Sequence, residues 1–141
     1  MKKTLRIFDN EYWWGGSCMH GNEMPFTKKT ELKLDLNGAD ANIQTMPLLI
    51  SSRGRYIWSD TPFKFEFKNG EIILHGDSFV ISSEGKSLKD AYLLASRKHF
   101  PFDNKPLPDE FFTTAQYNCW MQFNYNPTQE GVLSYARGIV E

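Results

Sequence analysis

The chain has 141 residues, which suits one domain and leaves little room for a second. Apolar residues make up 40% and charged residues 23%, a composition typical of globular proteins and not of disordered ones. The net charge of −1 argues against a nucleic-acid partner, which usually requires a basic surface. No run of like charges indicates a membrane-surface partner.

The N-terminus reads MKKTLRIFDNEYWW. A signal peptide also begins with basic residues, but here Asp9 and Glu11 interrupt the apolar stretch of about 7–15 residues that must follow. No segment approaches the roughly 20 apolar residues of a membrane span. We therefore expect a cytoplasmic protein as the sequence is written. If a signal peptide had been removed, the protein would be secreted or periplasmic.

Short alternating patterns predict an antiparallel β-sandwich in residues 1–100. Phe63, Phe65 and Phe67 alternate with charged residues, and Asn69-Gly70 then predicts a tight hairpin. The Phe face must be buried, and a second sheet is the usual cover. Strands are predicted around Leu5 and Ile7 and at Leu32–Leu36, Pro47–Ser51, Arg55–Ser59, Phe63–Lys68, Glu71–Leu74 and Ser78–Ser82.

A helix is predicted over residues 88–99 near the end of this domain. Ser87 is a good N-cap with Asp90 three residues later, and basic residues occupy the last turn. Residues 101–112 contain three prolines and form the predicted linker.

The remaining residues, 113–141, predict a β-α tail. Tyr117 to Phe123 is typical of a buried strand, and Asn126 and Pro127 are expected to be the N-cap and first residue of a final helix. About 25 residues cannot build a core by themselves. The tail therefore packs back on the sandwich, pairs with another molecule, or belongs to a truncated protein.

No sequence motif predicts a catalytic residue, a metal site or a cofactor. The chain has no Gly-rich phosphate loop, no nucleophile elbow and no metal-binding helix pattern. The polar candidates are interpreted as structural or solvated groups: Cys18 and Cys119 as reduced thiols, the scattered His20, His75 and His99, and the acidic Asp9, Glu11, Asp60 and Asp77.

The segment EYWWGG at residues 11–16 is the most informative. In a strand, the adjacent Trp13 and Trp14 cannot both face one core, because neighbouring side chains point to opposite faces. An exposed ring could stack on a sugar or another flat ligand. The alternative is a Trp pair that plugs the end of the sandwich.

Two further clusters combine polar and aromatic side chains. The first is RGRYIWSD at residues 53–60, for which the simplest interpretation is a strand with solvated arginines. The second lies at the end of the predicted tail strand, where Asn124 and Tyr125 suit a hydroxyl-rich ligand. Ligands of open or barrel α/β folds bind at this end of the strands.

These clusters, in this order, resemble the front part of glycoside hydrolase family 31, the α-glucosidase and α-xylosidase family. The matching stretches are NEYWWGG, MPLLISSRGRYIWSDTPFKFEF, LKDAYLLASRKHFP and FFTTAQYNCWMQFNYNPTQEGVLSYARGIVE. The resemblance implies a galactose-mutarotase-like sandwich followed by a (β/α)₈ barrel, of which residues 113–141 would be the first strand and helix.

The resemblance also implies that the parent protein is a retaining α-glycosidase. Such enzymes use two carboxylates about 5–5.5 Å apart. In the family both are aspartates on later barrel strands, so none is carried over and the 141-residue chain is expected to be inactive. By position, Trp13, Trp14, Asn124 and Tyr125 are the candidate substrate-binding residues.

Two alternatives remain open. The chain could be a free-standing carbohydrate-binding sandwich, which would use the same aromatic rings. It could instead be a self-associating module, in which the apolar tail of one copy is covered by a second copy to form a homodimer.

Overall fold

Two four-stranded antiparallel sheets occupy the first hundred residues of the computed structural model, which describes residues 1–38 and 44–140. In chain order, the strands are β1 (Lys2–Arg6), β2 (Trp13–Ser17), β3 (Leu32–Asp35), β4 (Thr45–Ser51), β5 (Tyr56–Trp58), β6 (Lys64–Lys68), β7 (Glu71–His75) and β8 (Val80–Ser82). The first sheet has the order β1-β7-β6-β3 and the second has the order β2-β4-β5-β8. Each predicted strand of the domain is present, and β2 is added to them.

The core lies between the two sheets, as the Phe pattern predicted. Phe63, Phe65 and Phe67 are each at most 1% exposed. They belong to a single apolar cluster with Leu49 and Ile57 of the second sheet. Burying one such side chain stabilises the fold by about 1.5–3 kcal/mol, so this face largely holds the two sheets together. The predicted β-sandwich is confirmed.

The hairpin between β6 and β7 also follows the prediction. Asn69 and Gly70 have φ values of 52° and 76°, the left-handed conformation that a tight two-residue turn requires. The register pairs Lys68 with Glu71 across the turn. A local sequence signal thus sets the pairing of two central strands.

Helix α1 (Leu88–His99) covers the face of the second sheet that points away from the core. The Ser87 hydroxyl caps it by accepting a hydrogen bond from the Asp90 amide at 3.2 Å, as predicted. Trp58, which alternates with the core residue Ile57, stacks on His99 at 4.7 Å between ring centroids. The sandwich therefore carries a third layer on one side.

The chain divides into two compact units, Met1–Phe102 and the residues from Asp103 onward, and the division lies within the predicted linker. The described part of the second unit contains three helices, α2 (Glu110–Thr113), α3 (Trp120–Phe123) and α4 (Gln129–Val140). None of these helices has a buried residue.

Two details of the tail differ from the sequence prediction. The strand predicted from Tyr117 to Phe123 is not formed, since α3 occupies its second half; a strand without a neighbour leaves its backbone groups unpaired. The predicted cap at Asn126 is also wrong. The Thr128 hydroxyl accepts a hydrogen bond from the Gly131 amide at 3.1 Å and so caps α4, which begins at Gln129.

A buried ion pair joins the chain entering β2 to the chain entering β5. Arg55 donates from Nε to Glu11 Oε1 at 2.8 Å and from Nη2 to Glu11 Oε2 at 2.5 Å. Glu11 is 1% exposed and Arg55 is 7% exposed. The expectation of solvated side chains is therefore wrong for Glu11 and Arg55, whose charges compensate each other away from water, while Arg53 of the same cluster is exposed as expected.

Further hydrogen bonds hold both members of this pair. The Ser51 hydroxyl and the Phe8 amide donate to Glu11, at 2.6 and 2.9 Å, and Arg55 also donates to the Arg6 carbonyl at 2.8 Å. Burial alone would raise the pKa of Glu11, but the hydrogen bonds from Arg55, Ser51 and Phe8 outweigh it and lower the pKa. The carboxylate is ionised at neutral pH.

We expect Arg55→Met to lower the free energy of unfolding by about 3–5 kcal/mol, because it leaves the Glu11 carboxylate buried and unpaired. Urea unfolding followed by circular dichroism measures this loss. The control is Lys64→Met, which removes the more exposed Lys64–Asp35 ion pair and should cost much less. Equal losses in the two variants would contradict the assigned role of the buried pair.

Candidate functional site

The aromatic segment Tyr12–Trp14 lies at the start of β2, and its three rings differ in how far they are exposed to solvent. Trp13 is fully buried in the core, Trp14 is partly buried, and Tyr12 is 41% exposed. This alternation follows from the strand geometry, because consecutive side chains point to opposite sides. The Trp13 ring is enclosed in the core of the sandwich, whereas Trp14 of the same pair is not.

The two glycines that follow shape the strand. Gly15 and Gly16 have φ values of 122° and 87°, and the register with β4 shifts between them. A Cβ on Gly15 would lie 2.1 Å from the Leu48 carbonyl oxygen, and one on Gly16 would lie 2.8 Å from the Phe65 ring. The glycines therefore permit a β-bulge packed directly on its neighbours, which is a structural role.

Asn124 and Tyr125 lie in the second unit. Asn124 ends α3 with a φ of 49°, and its backbone N–H donates to the Trp120 carbonyl at 2.8 Å. Tyr125 is 79% exposed, and its ring meets Trp120 edge-on at 5.1 Å. The structure thus places Trp13 and Trp14 in one unit and Asn124 and Tyr125 in the other, and the joint site predicted for these four residues stays a prediction.

The carboxylates with shifted pKa values are acceptors in ion pairs or caps. A hydrogen bond from Lys28 lowers the pKa of Asp9, and one from Lys64 lowers that of Asp35. Lys33 lowers the pKa of Glu66 in the same way, and the Lys86 amide lowers that of Asp90. Each of these carboxylates is therefore stabilised in its ionised form by a neighbouring donor.

Neither a metal-binding group nor a membrane-spanning helix occurs among the described residues. Residues 1–38 and 44–140 contain no group of three His, Cys, Asp or Glu side chains placed to hold a metal ion. Within the same ranges, no helix has the length and apolar character needed to cross a bilayer.

Sequence reasoning missed Tyr12, which is the exposed ring of the aromatic segment. The alternation of a strand already indicated that Tyr12 and Trp14 point to the face opposite to that of Trp13. Which of the two faces is buried depends on the sheet that packs against the strand, and the sequence of the segment does not contain this information.

No protein-family model matches the chain, and no curated protein matches it. The resemblance to glycoside hydrolase family 31 therefore depends on the residue patterns alone.

We expect Trp13→Ala to lower the free energy of unfolding by about 3–5 kcal/mol, because it opens a cavity in the core. Trp14→Ala should cost clearly less, since Trp14 is only partly buried. Thermal and urea unfolding of both variants measure the difference. An unchanged unfolding midpoint for Trp13→Ala would contradict the burial of Trp13. Because this variant is expected to be unstable, a loss of sugar binding in it would not by itself show that Trp13 contacts the sugar.

Proposed function

We propose that the chain is the N-terminal part of a retaining α-glycosidase of the family 31 type. In this proposal the sandwich supports a catalytic (β/α)₈ barrel and lines part of its sugar site, and the second unit supplies the first strand and helix of the barrel. The catalytic carboxylates would come from later barrel strands.

The observation that carries the proposal is the contrast between the two units. Among the described residues of the first unit, thirteen apolar side chains are buried in one core cluster. The helices of the second unit bury none. About 40 residues of helix and connection rarely bury enough apolar surface to be stable alone, which favours further structure that covers the second unit.

The side chains of the second unit indicate what this further structure must provide. Phe112, Met121 and Val140 are 74%, 92% and 83% exposed, and Leu133 of α4 is 46% exposed. A barrel helix packs such residues against neighbouring helices and strands. In the same setting, the Tyr117–Phe123 segment would gain the neighbouring strands that it lacks here, and we propose that it becomes a strand there.

We expect the 141-residue chain to release no nitrophenol from aryl α-glucosides or α-xylosides, because the proposal places both catalytic carboxylates outside it. If the reading frame continues past residue 141, the longer protein should hydrolyse these substrates. The sugar product should retain the anomeric configuration of the substrate, which proton NMR measures. In that longer protein, Tyr125→Ala should lower kcat/KM by about fivefold, since an aromatic contact contributes on the order of 1 kcal/mol. Tyr92→Ala is the control, because Tyr92 is exposed on α1.

Turnover by the 141-residue chain would contradict the assignment of the catalytic groups. A reading frame that stops at residue 141 would contradict the proposal that the chain is part of a longer enzyme.

A second candidate function is self-association through the second unit. The same exposed apolar residues favour it, because a second copy could cover them as well as a barrel could.

If self-association occurs, light scattering should show a dimer whose population rises with concentration. Leu133→Asp and Met121→Asp should both shift the equilibrium toward monomer, since each places a charge in the apolar surface. Tyr92→Asp, on the exposed face of α1, should leave it unchanged. A concentration-independent monomer mass would rule out this candidate.

A further inference from the structure

An open cleft of about 490 Å³ lies on the first unit between residues 9–12 and residues 27–29. We call it the Tyr12 cleft, after the exposed ring in its wall. Its size falls within the range of small-ligand sites, about 300–1,000 Å³. The residues that line it do not include the candidates Trp14, Asn124 and Tyr125.

Hydrogen bonds to the body of the sandwich fix both walls of the cleft. The Trp13 amide donates to the Phe26 carbonyl at 2.9 Å, and the Phe26 amide donates back at 2.8 Å, so the walls meet at one end. Tyr12 is held by its amide, which donates to Ser52 Oγ at 3.0 Å, and by its carbonyl, which accepts from the Ser52 amide at 2.8 Å. The Tyr12 ring is therefore presented from a fixed backbone, which lowers the entropic cost of binding.

The buried ion pair lies behind this wall. Glu11 lines the cleft, and its carboxylate is bound by Arg55, whose guanidinium lies 4.0 Å from the centroid of the Phe8 ring. One residue of the cleft wall is thus held in place by the buried ion pair.

The side chains of the cleft combine one aromatic face with donors and acceptors. Lys28 and Asp9 form an ion pair at 2.9 Å across the cleft. Among the described residues, neither the Asn10 amide nor the Lys29 ammonium has a hydrogen-bond partner. An amide, a carboxylate and ammonium groups beside an exposed ring suit a polyhydroxylated ring, whose hydroxyls both donate and accept and whose apolar face can stack.

The charged groups at the cleft are mostly paired. Lys28 neutralises Asp9 and Arg55 neutralises Glu11, so that among the described residues lining the cleft the Lys29 ammonium remains as one unpaired positive charge. A polyanion would meet the Asp9 carboxylate beside this single ammonium, whereas the hydroxyls of a neutral saccharide can accept from Lys29 and donate to Asp9 at the same time.

We propose that the Tyr12 cleft binds a neutral carbohydrate, with a sugar ring stacked on Tyr12 and its hydroxyls bonded by Asn10, Asp9 and Lys29. This site lies outside the residues that the family resemblance assigns. It shares with the proposed function only the class of ligand, and it does not require the chain to be part of a glycosidase.

The test is a titration of the ¹⁵N-labelled 141-residue chain with maltotriose, xylotriose and cellotriose, followed by amide NMR. Saturable shifts centred on residues 9–12 and 27–29 are expected for at least one of them, with a Kd of millimolar order. Tyr12→Ala should weaken binding at least tenfold. Asn10→Gly should weaken it several-fold, and this variant keeps the left-handed backbone, since Asn10 has a φ of 57°.

The control is Tyr92→Ala, which removes an exposed tyrosine on α1 and should leave the affinity unchanged. Absence of saturable shifts with all three sugars would overturn the proposal, as would binding that survives Tyr12→Ala. Stronger binding of trigalacturonate than of the neutral sugars would overturn the charge argument and with it the ligand class. The test involves no turnover, so its failure is distinguishable from failure of the glycosidase proposal.

Discussion

The buried pair of Glu11 and Arg55 is the constraint on which the arrangement of the first unit depends. The two residues lie 44 positions apart in the chain, and both are almost completely removed from water. Removing a charge from water is costly unless its partner is close and the remaining hydrogen bonds are formed. Here they are formed, because Ser51, Phe8 and Arg6 supply the additional donors and acceptor.

This constraint determines where the aromatic segment lies. With Glu11 held inward, strand alternation turns Tyr12 outward and Trp13 into the core, where Arg55 lies 5.2 Å from the Trp13 ring centroid. The glycines at 15 and 16 then let β2 bulge against β4. Three consecutive aromatic residues therefore have three different environments: Trp13 is buried in the core, Trp14 is partly buried, and Tyr12 is exposed beside a cleft.

The two units differ in how far their own residues can stabilise them. The sandwich closes on a core with residues from both sheets, and α1 adds a layer through the Trp58–His99 stack. The second unit forms helices by local hydrogen bonds but leaves its large apolar side chains in solvent. The second unit thus forms secondary structure without a core of its own, which is the physical basis both of the barrel proposal and of the self-association alternative.

The sequence by itself determined the elements that depend on neighbouring residues: the Phe63–Phe67 strand, the Asn69-Gly70 hairpin and the helix capped by Ser87. Their signals are local, since period-two alternation, a left-handed turn and a capping hydroxyl act within a few residues. Only the tertiary structure decided that Glu11 and Arg55 are buried together, that Trp13 and not Tyr12 faces the core, and that Tyr117–Phe123 does not extend as a strand. Each of these depends on which distant segment lies alongside, and no local pattern contains that information.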